Sequence, residues 1–433
     1  MPDAPLSFNQ RLFDFLNASP TPFHATREVV RLLEARGFTR LVEADRWQLK
    51  AQGRYFVTRN DSSVVAFQVG NGSVADQGFR IAGSHTDSPC LRVKPTPDLL
   101  SQQFHQLSTE IYGGALLGTW FDRDLSLAGR ITFKTSLGKI EHALIDFKKP
   151  IAVLPNLAIH LNREVNDKRS IQRQTEMNPI LSLWDDRKSK SFQELLLDHL
   201  KSQGHSSAIE ILEHEISAYD TQPAAVVGLR EEFMTSARLD NLLSVFVGTQ
   251  AMLEAAQGTF ALFVAHDHEE VGSQSSHGAD STFVRSLLER IASDNETLHR
   301  AVDRSFFVSM DNAHGVHPNY SDRHDPLHKP LLNRGPAIKT NVSQRYATNS
   351  ETAGVFIHLC QELKVPYQKF VSRNDQPCGS TIGPISSSQL GIRTVDVGIP
   401  TFAMHSVREL AGTEDSYSLF QIIKEYFSRP SLS

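Results

Sequence analysis

The run Phe260-Ala261-Leu262-Phe263-Val264-Ala265 is apolar without interruption, and His266-Asp267-His268-Glu269-Glu270 follows it directly. A strand of that composition is buried on both faces, so layers of structure must lie above and below it. The neighbouring segments supply those layers. Leu242, Leu243, Val245, Phe246, Met252 and Leu253 recur at helical spacing between Asn241 and about Ala256, and Gly258 ends the stretch. A second helix is predicted near Phe283 to Ile291, strands at Phe306 to Val308 and Thr394 to Val397, and a final helix near Tyr417 to Phe427. Strands alternating with helices predict an α/β fold with a mostly parallel sheet covered by helices on both faces.

The start of the chain fits the same fold. Thr21-Pro22 offers an N-cap and a first-turn proline, Ala25, Val29, Val30 and Leu33 follow at helical spacing, and Gly37 suits the helix end. Tyr55 to Val57, Val64 to Val69 and Phe79 to Ala82 read as strands. Between about Leu91 and Gly228 the texture changes. Strand-like runs, Gly129 to Phe133 and Ile151 to Leu154, alternate with polar loops such as the one around Asp185-Asp186-Arg187-Lys188. This predicts a principal domain in two parts, 1–90 and 229–433, with a β-rich domain inserted at 91–228.

A chain of 433 residues is long enough for two such domains. A formal net charge of -5, with no basic tail, argues against nucleic acid or an anionic membrane as partner. No apolar run approaches the roughly 20 residues of a membrane span. The N-terminal stretch lacks the basic and apolar regions of a signal peptide. Cys90, Cys360 and Cys378 form no metal-type pair, which predicts reduced thiols and a cytoplasmic location. Cys378 lies between Pro377 and Gly379, in a tight loop rather than a nucleophile's setting.

Five polar clusters fall just after predicted strands or at a helix start, where α/β sheets bind ligands. In Ser84-His85-Thr86-Asp87, His85 can ligate a metal while Asp87 fixes its tautomer, or the segment is a surface turn. Asp240, in Ser236-Ala237-Arg238-Leu239-Asp240-Asn241, has two readings, a helix cap or a carboxylate bridging two metals. Glu269 and Glu270 follow the buried strand and point in different directions. One can ligate metal while the other serves as general base to a water. Asp311 is a candidate ligand, with His314 behind it, and His405 in Ala403-Met404-His405 completes the set. Two histidines and several carboxylates from five segments suit a dinuclear site better than a zinc finger.

With these clusters assembled, the sequence resembles the M18 family of metallopeptidases, the aspartyl aminopeptidases. The matching stretches are SHTDSP, SARLDN, HDHEEVGS, MDNAHGVHPN, GPAIKTN with QRYATN, CGSTIGP and AMHSVRE. Thr109 to Gly114 and Ala158 to Arg163 match more loosely. The resemblance implies a zinc-peptidase, phosphorylase/hydrolase-like catalytic domain, with the inserted β-rich domain making oligomer contacts. It implies two divalent metal ions, zinc first, with manganese or cobalt the alternatives at one position. His85, Glu270, Asp311 and His405 would be terminal ligands, Asp240 the bridging ligand, Glu269 the general base and Asp87 the residue orienting His85. The implied substrates are peptides with an acidic N-terminal residue, held by Lys339 with Tyr346 lining the pocket. A homo-oligomer, a dodecamer, is implied too, in which His160 reaches toward a neighbouring subunit's site.

Overall fold

A computed structural model describes residues 4–432. By its contacts the chain divides into two units. The first takes the chain through Asp87, then Ala224–Met404, then the chain from Glu409 on; the second takes Ser88–Pro223 and His405–Arg408.

The first unit is built on nine strands: β1 (Thr39–Arg40), β2 (Arg54–Arg59), β3 (Ser63–Gln68), β4 (Phe79–His85), β5 (Phe260–His266), β6 (Phe306–Met310), β7 (Ala337–Thr340), β8 (Gln368–Val371) and β9 (Arg393–Gly398). In space they run β1-β2-β3-β5-β4-β6-β9-β7-β8. The central four, β5, β4, β6 and β9, are mutually parallel. The margins are mixed. β3 is antiparallel to both β2 and β5, and β7 is antiparallel to β9. The reason at β2–β3 is local: Asn60 and Asp61, at φ 56° and 53°, make a tight hairpin turn that leaves no length for a parallel crossover.

Both faces of the sheet are covered. Ala261, Phe263 and Ala265 of β5 pack with residues of α1 (Ala4–Asn17), α2 (Pro22–Ala35), α3 (Leu239–Glu254), α5 (Ser350–Leu363) and α6 (Asp415–Ser428). Phe260, Leu262 and Val264 point the other way and pack with α4 (Phe283–Ala292). This alternation within one apolar run is the two-sided burial its composition predicts. α3 lies flush on the sheet, since a Cβ on Gly248 would sit 2.1 Å from the Phe263 ring. α1 is an addition to the sequence expectations; it buries Phe8, Leu12, Phe15 and Leu16. Thr21 does precede α2, but its hydroxyl pairs with His24 Nδ1 at 2.8 Å instead of capping a backbone amide. A smaller five-stranded sheet belongs to the same unit: Ala225–Val227, Phe233–Ser236, Glu409–Gly412, Pro400–Phe402 and Ala313–His314.

The second unit is β-rich. Seven strands form its sheet, and Ala208–Asp220 pairs with both Cys90–Ser101 and Asp124–Thr135, closing the sheet on itself. Its interior holds Leu91, Leu107, Leu127, Ile131, Phe133 and Ile216, all fully buried. A helix, Phe192–Ser202, starts at a reciprocal cap between Ser191 and Glu194. Ile151 to Leu154 yields only the two-residue strand Ala152–Val153. No disulfide joins Cys90, Cys360 and Cys378. Among the described residues no helix is long and apolar enough to cross a membrane.

Candidate metal centre

Three parallel strands deliver their C-terminal ends side by side at the middle of the large sheet. His85 ends β4, opposite His266 at the end of β5, while Ser309 of β6 pairs with Gly83. Side chains one to four residues past those ends therefore converge. Asp87, Glu269, Glu270 and Asp311 all occupy such positions. A Cβ on Gly83 would stand 2.5 Å from Phe307, so glycine there makes room for that ring against β4.

The imidazole of His85 is the centre of the cluster and is 1% exposed. Its Nε2 lies 3.5 Å from Asp240 Oδ1, 3.6 Å from Asp311 Oδ1 and 3.9 Å from Glu269 Oε2. One ligand-capable atom from each of His85, Asp240 and Asp311 falls within 4.8 Å of the others, and the same holds for His85, Glu269 and Glu270. Burial by itself would lower the His85 pKa, yet Asp240, Asp311 and Asp87 carry it well above the usual value. Glu269 is pushed well above the carboxylate range by burial first, with Asp311, Glu270 and Asp87 adding to it against the pull of His85.

Asp87 does more than orient a histidine. Its backbone oxygen lies 3.0 Å from His85 Nδ1, with carboxylate Oδ1 at 3.4 Å. The same carboxylate accepts the backbone amides of Glu269 and Glu270, each at 3.1 Å. One fully buried carboxylate thus holds β4's histidine and both glutamates that follow β5.

Asp240 does not stand at the cap position of α3. Arg238 occupies the cap position of α3, with φ 61°, and makes no side-chain cap bond. Asp240 itself is non-helical, and its peptide bond to Asn241 is cis. Its amide donates to Glu409 Oε2 at 2.9 Å, and Asn241 Nδ2 donates to Met310 O at 2.8 Å, tying the helix start to the end of β6. Glu409 has no role in the sequence reading beyond membership of the AMHSVRE stretch. Its burial, 2% exposed, gives it one, since it braces Asp240.

Lys339, on β7, is 2% exposed rather than a surface lysine. Its ammonium lies 3.5 Å from Asp311 Oδ2, 3.1 Å from Asn312 O and 5.0 Å from the centroid of the Tyr346 ring. Lys339 also faces Asp396 across the β7–β9 register. Asp396 is raised by burial, with Lys339 opposing that shift. Tyr346 is buried as well, and burial followed by Cys378 raises its hydroxyl pKa. His314 stands edge-on to Phe370, and burial followed by Lys339 lowers its pKa against the opposing pull of Asp240 and Asp311. In the second unit, His405 has φ 68° and its Nδ1 lies 3.2 Å from Gly114 O. His160 is exposed in a loop of that unit.

The donor set fits divalent metal. Several carboxylates crowd one imidazole in a buried setting, and such charge is costly to bury unless cations offset it. Nitrogen and oxygen donors of this mixture suit zinc, manganese or cobalt.

Comparison with known proteins agrees in kind. Residues 15–427 match the family described as Aminopeptidase I zinc metalloprotease (M18). A protein of Stutzerimonas stutzeri named probable M18 family aminopeptidase 2 is 54% identical over 424 residues, covering 98% of this chain and 99% of its own. Among solved structures, the Ape4 and Nbr1 complex aligns with a TM-score of 0.95 at 36% identity, over 99% of this chain and 86% of the other. The mApe1 dodecamer of S. cerevisiae aligns at 0.83 and 26% identity, over 97% and 96%.

Proposed function

The chain belongs to the M18 family of aminopeptidases, metal-dependent hydrolases, and from that premise we propose that it uses two metal ions to release acidic residues from the N-termini of peptides. The observation that carries the proposal is His85 Nε2 facing three carboxylates from three other segments of the chain. His85, Glu270, Asp311 and His405 would be the terminal ligands and Asp240 the bridge, with zinc as the metal and manganese or cobalt the alternatives at one position. When bound, the metals supply Lewis acidity toward the scissile carbonyl and a lowered pKa for the attacking water.

The chain's own groups do the rest. Glu269 takes the proton of the attacking water and returns it to the departing amine. Burial first, and then the neighbouring carboxylates, raise its proton affinity, as a general base needs. Asp87 keeps Glu269 and Glu270 in step by gripping both amides. Lys339 would pair with the side-chain carboxylate of the substrate's first residue, inside a pocket that Tyr346 lines. A buried ammonium is worth more there than at a surface.

A second reading of Lys339 rests on its distance to Asp311, which makes it a brace for a ligand instead of a specificity group. One assay separates the two: reporter release from N-terminal Asp, Glu, Leu and Ala conjugates by metal-stripped protein restored with zinc, manganese or cobalt. Metal-dependent cleavage favouring Asp and Glu, with Lys339→Ala raising KM for those two alone, is the expected result. Preference for Leu or Ala would remove acidic specificity, and loss of metal in Lys339→Ala would favour the brace.

We also propose a homo-oligomer in the cytoplasm, a dodecamer as in the mApe1 relative. In support, Leu137, Leu157, Leu161 and Leu183 of the second unit are 60% or more exposed, an apolar surface that association would cover. His160 adjoins Leu161 in sequence and would reach a neighbouring subunit's site from this surface. Native mass spectrometry counts the subunits.

A further inference from the structure

Beside the proposed catalytic residues lies a second convergence of ligand atoms that the reaction does not use. Asp267, His268 and His277 each offer one, all within 4.8 Å of one another. Asp267 Oδ2 is 3.7 Å from His268 Nε2 and 3.7 Å from His277 Nε2. That is too long for a hydrogen bond. It is the separation of two ligands that share one ion, because an ion seated among three such atoms lies about 2 Å from each, the zinc–ligand distance.

The surroundings are those of a built site. Asp267 is 2% exposed and His277 9%. Each imidazole is held by a serine on its other nitrogen: Ser275 Oγ lies 2.9 Å from His268 Nδ1, and Ser276 Oγ lies 3.1 Å from His277 Nδ1. Ser275 is itself fixed by the Gly278 amide at 3.0 Å. At His277, the Asn60 amide nitrogen stands 3.2 Å from Nε2 as a donor, which places the lone pair on that nitrogen; an ion bound there would take the place of this hydrogen bond. Metal-binding histidines are oriented in this way, through a hydrogen bond on the nitrogen away from the ion. Oδ1 of Asp267 accepts the His268 amide at 2.8 Å, the Ser62 hydroxyl also bonds the carboxylate, and Oδ2 lies toward the imidazoles. Arg59 is close, but its charge is matched by Glu43 and its Nη1 donates to Ser276 O at 3.0 Å.

The backbone is committed to the arrangement. His268 sits at φ 66° and Ser273 at φ 62°, both left-handed and both unfavourable for side chains with a Cβ. The loop closes so tightly that a Cβ on Gly278 would meet Ser273 O at 2.2 Å.

We propose that Asp267, His268 and His277 bind a zinc ion of their own, which clips the loop between β5 and α4 and so anchors the segment carrying Glu269. The fourth position would be water. This inference goes beyond the catalytic reading and does not depend on it.

Zinc content of protein purified without chelator, measured by elemental analysis, tests it. Wild type is expected to carry one zinc per chain more than His277→Gln, and the double variant His268→Gln/His277→Gln is expected to match the single. Equal zinc in wild type and His277→Gln overturns the proposal. Should the variants misfold, anomalous scattering at the zinc edge from wild-type crystals decides: a peak among the three side chains supports the site, and its absence there overturns it. Failure of the catalytic reading would show separately, as lost peaks or zinc at His85 with the difference between wild type and variant unchanged.

Discussion

At the scale of single residues, the neighbours Glu269 and Glu270 carry different assignments, and their shared anchor makes the difference measurable. Glu269→Gln removes the proton acceptor without a ligand, so kcat should fall by about 100- to 10,000-fold while metal content stays at the wild-type level. Asp87→Asn leaves one carbonyl oxygen for the two amides that both carboxylate oxygens now accept. It should weaken metal affinity by about 10- to 100-fold as well as lower kcat, because it disturbs His85 and the glutamate pair together. Metal titration alongside kinetics checks both, and an Asp87→Asn protein with wild-type affinity would show the grip to be dispensable. Much of this was legible in the sequence. Asp87 two residues after His85, and paired glutamates after a buried strand, are patterns with a chemical reason. Glu409 was not legible as a brace, because its partner is a backbone amide 169 positions away. Lys339 was legible only through family resemblance, since nothing local marks a lysine for burial.

At the scale of elements, helix α6 begins with a buried acid that couples folding to pH. Asp415 accepts the amides of Asn333 and Gly335 at 2.6 and 2.8 Å, yet burial raises its pKa from 3.8 to about 6. The folded chain therefore holds this proton more tightly than the unfolded chain does. Its contribution to stability is complete below pH 3.8 and is lost as pH rises through about 6. Asp415→Asn lacks that loss, so its stability deficit against wild type should shrink by about 2 kcal/mol between pH 4 and 7. Urea unfolding of both proteins across that range reads the gap directly, and a constant gap would refute the shift. Helix α3 offers a plainer test. Alanine is favoured over glycine in helices by about 1 kcal/mol, but Gly248→Ala should be destabilising by about 1–3 kcal/mol because of the Phe263 ring. A raised Tm would contradict the flush packing. The same elements show what pattern reading reaches. Periodicity found α3, β5 and α6, whose apolar positions repeat. It passed over α1, although Phe8, Leu12, Phe15 and Leu16 recur at helical spacing. It also extended a strand through Ile151 to Leu154, where tertiary pairing supports two residues.

At the scale of the molecule, metal and fold should be linked. Ions that bind only the folded chain stabilise it by mass action, by about 4 kcal/mol at a thousandfold excess over Kd. Removing them with a chelator should abolish hydrolysis and lower Tm, and added zinc should restore both. Retention of full activity after exhaustive chelation would be incompatible with the proposed chemistry. The second unit has a different significance at this scale. The strands that open and close its barrel are paired to each other, Leu91 with Ala218 and Arg92 with Ser217. The two ends of its main segment, Ser88–Pro223, therefore emerge about 5 Å apart, the spacing of adjacent strands. A loop of the first unit need open by little more than that to receive this segment, and a few residues would seal the gap without it. In the language of gene architecture the unit is a parenthesis: a cassette that can be gained, exchanged or lost between lineages while the reading on either side of it stays in register.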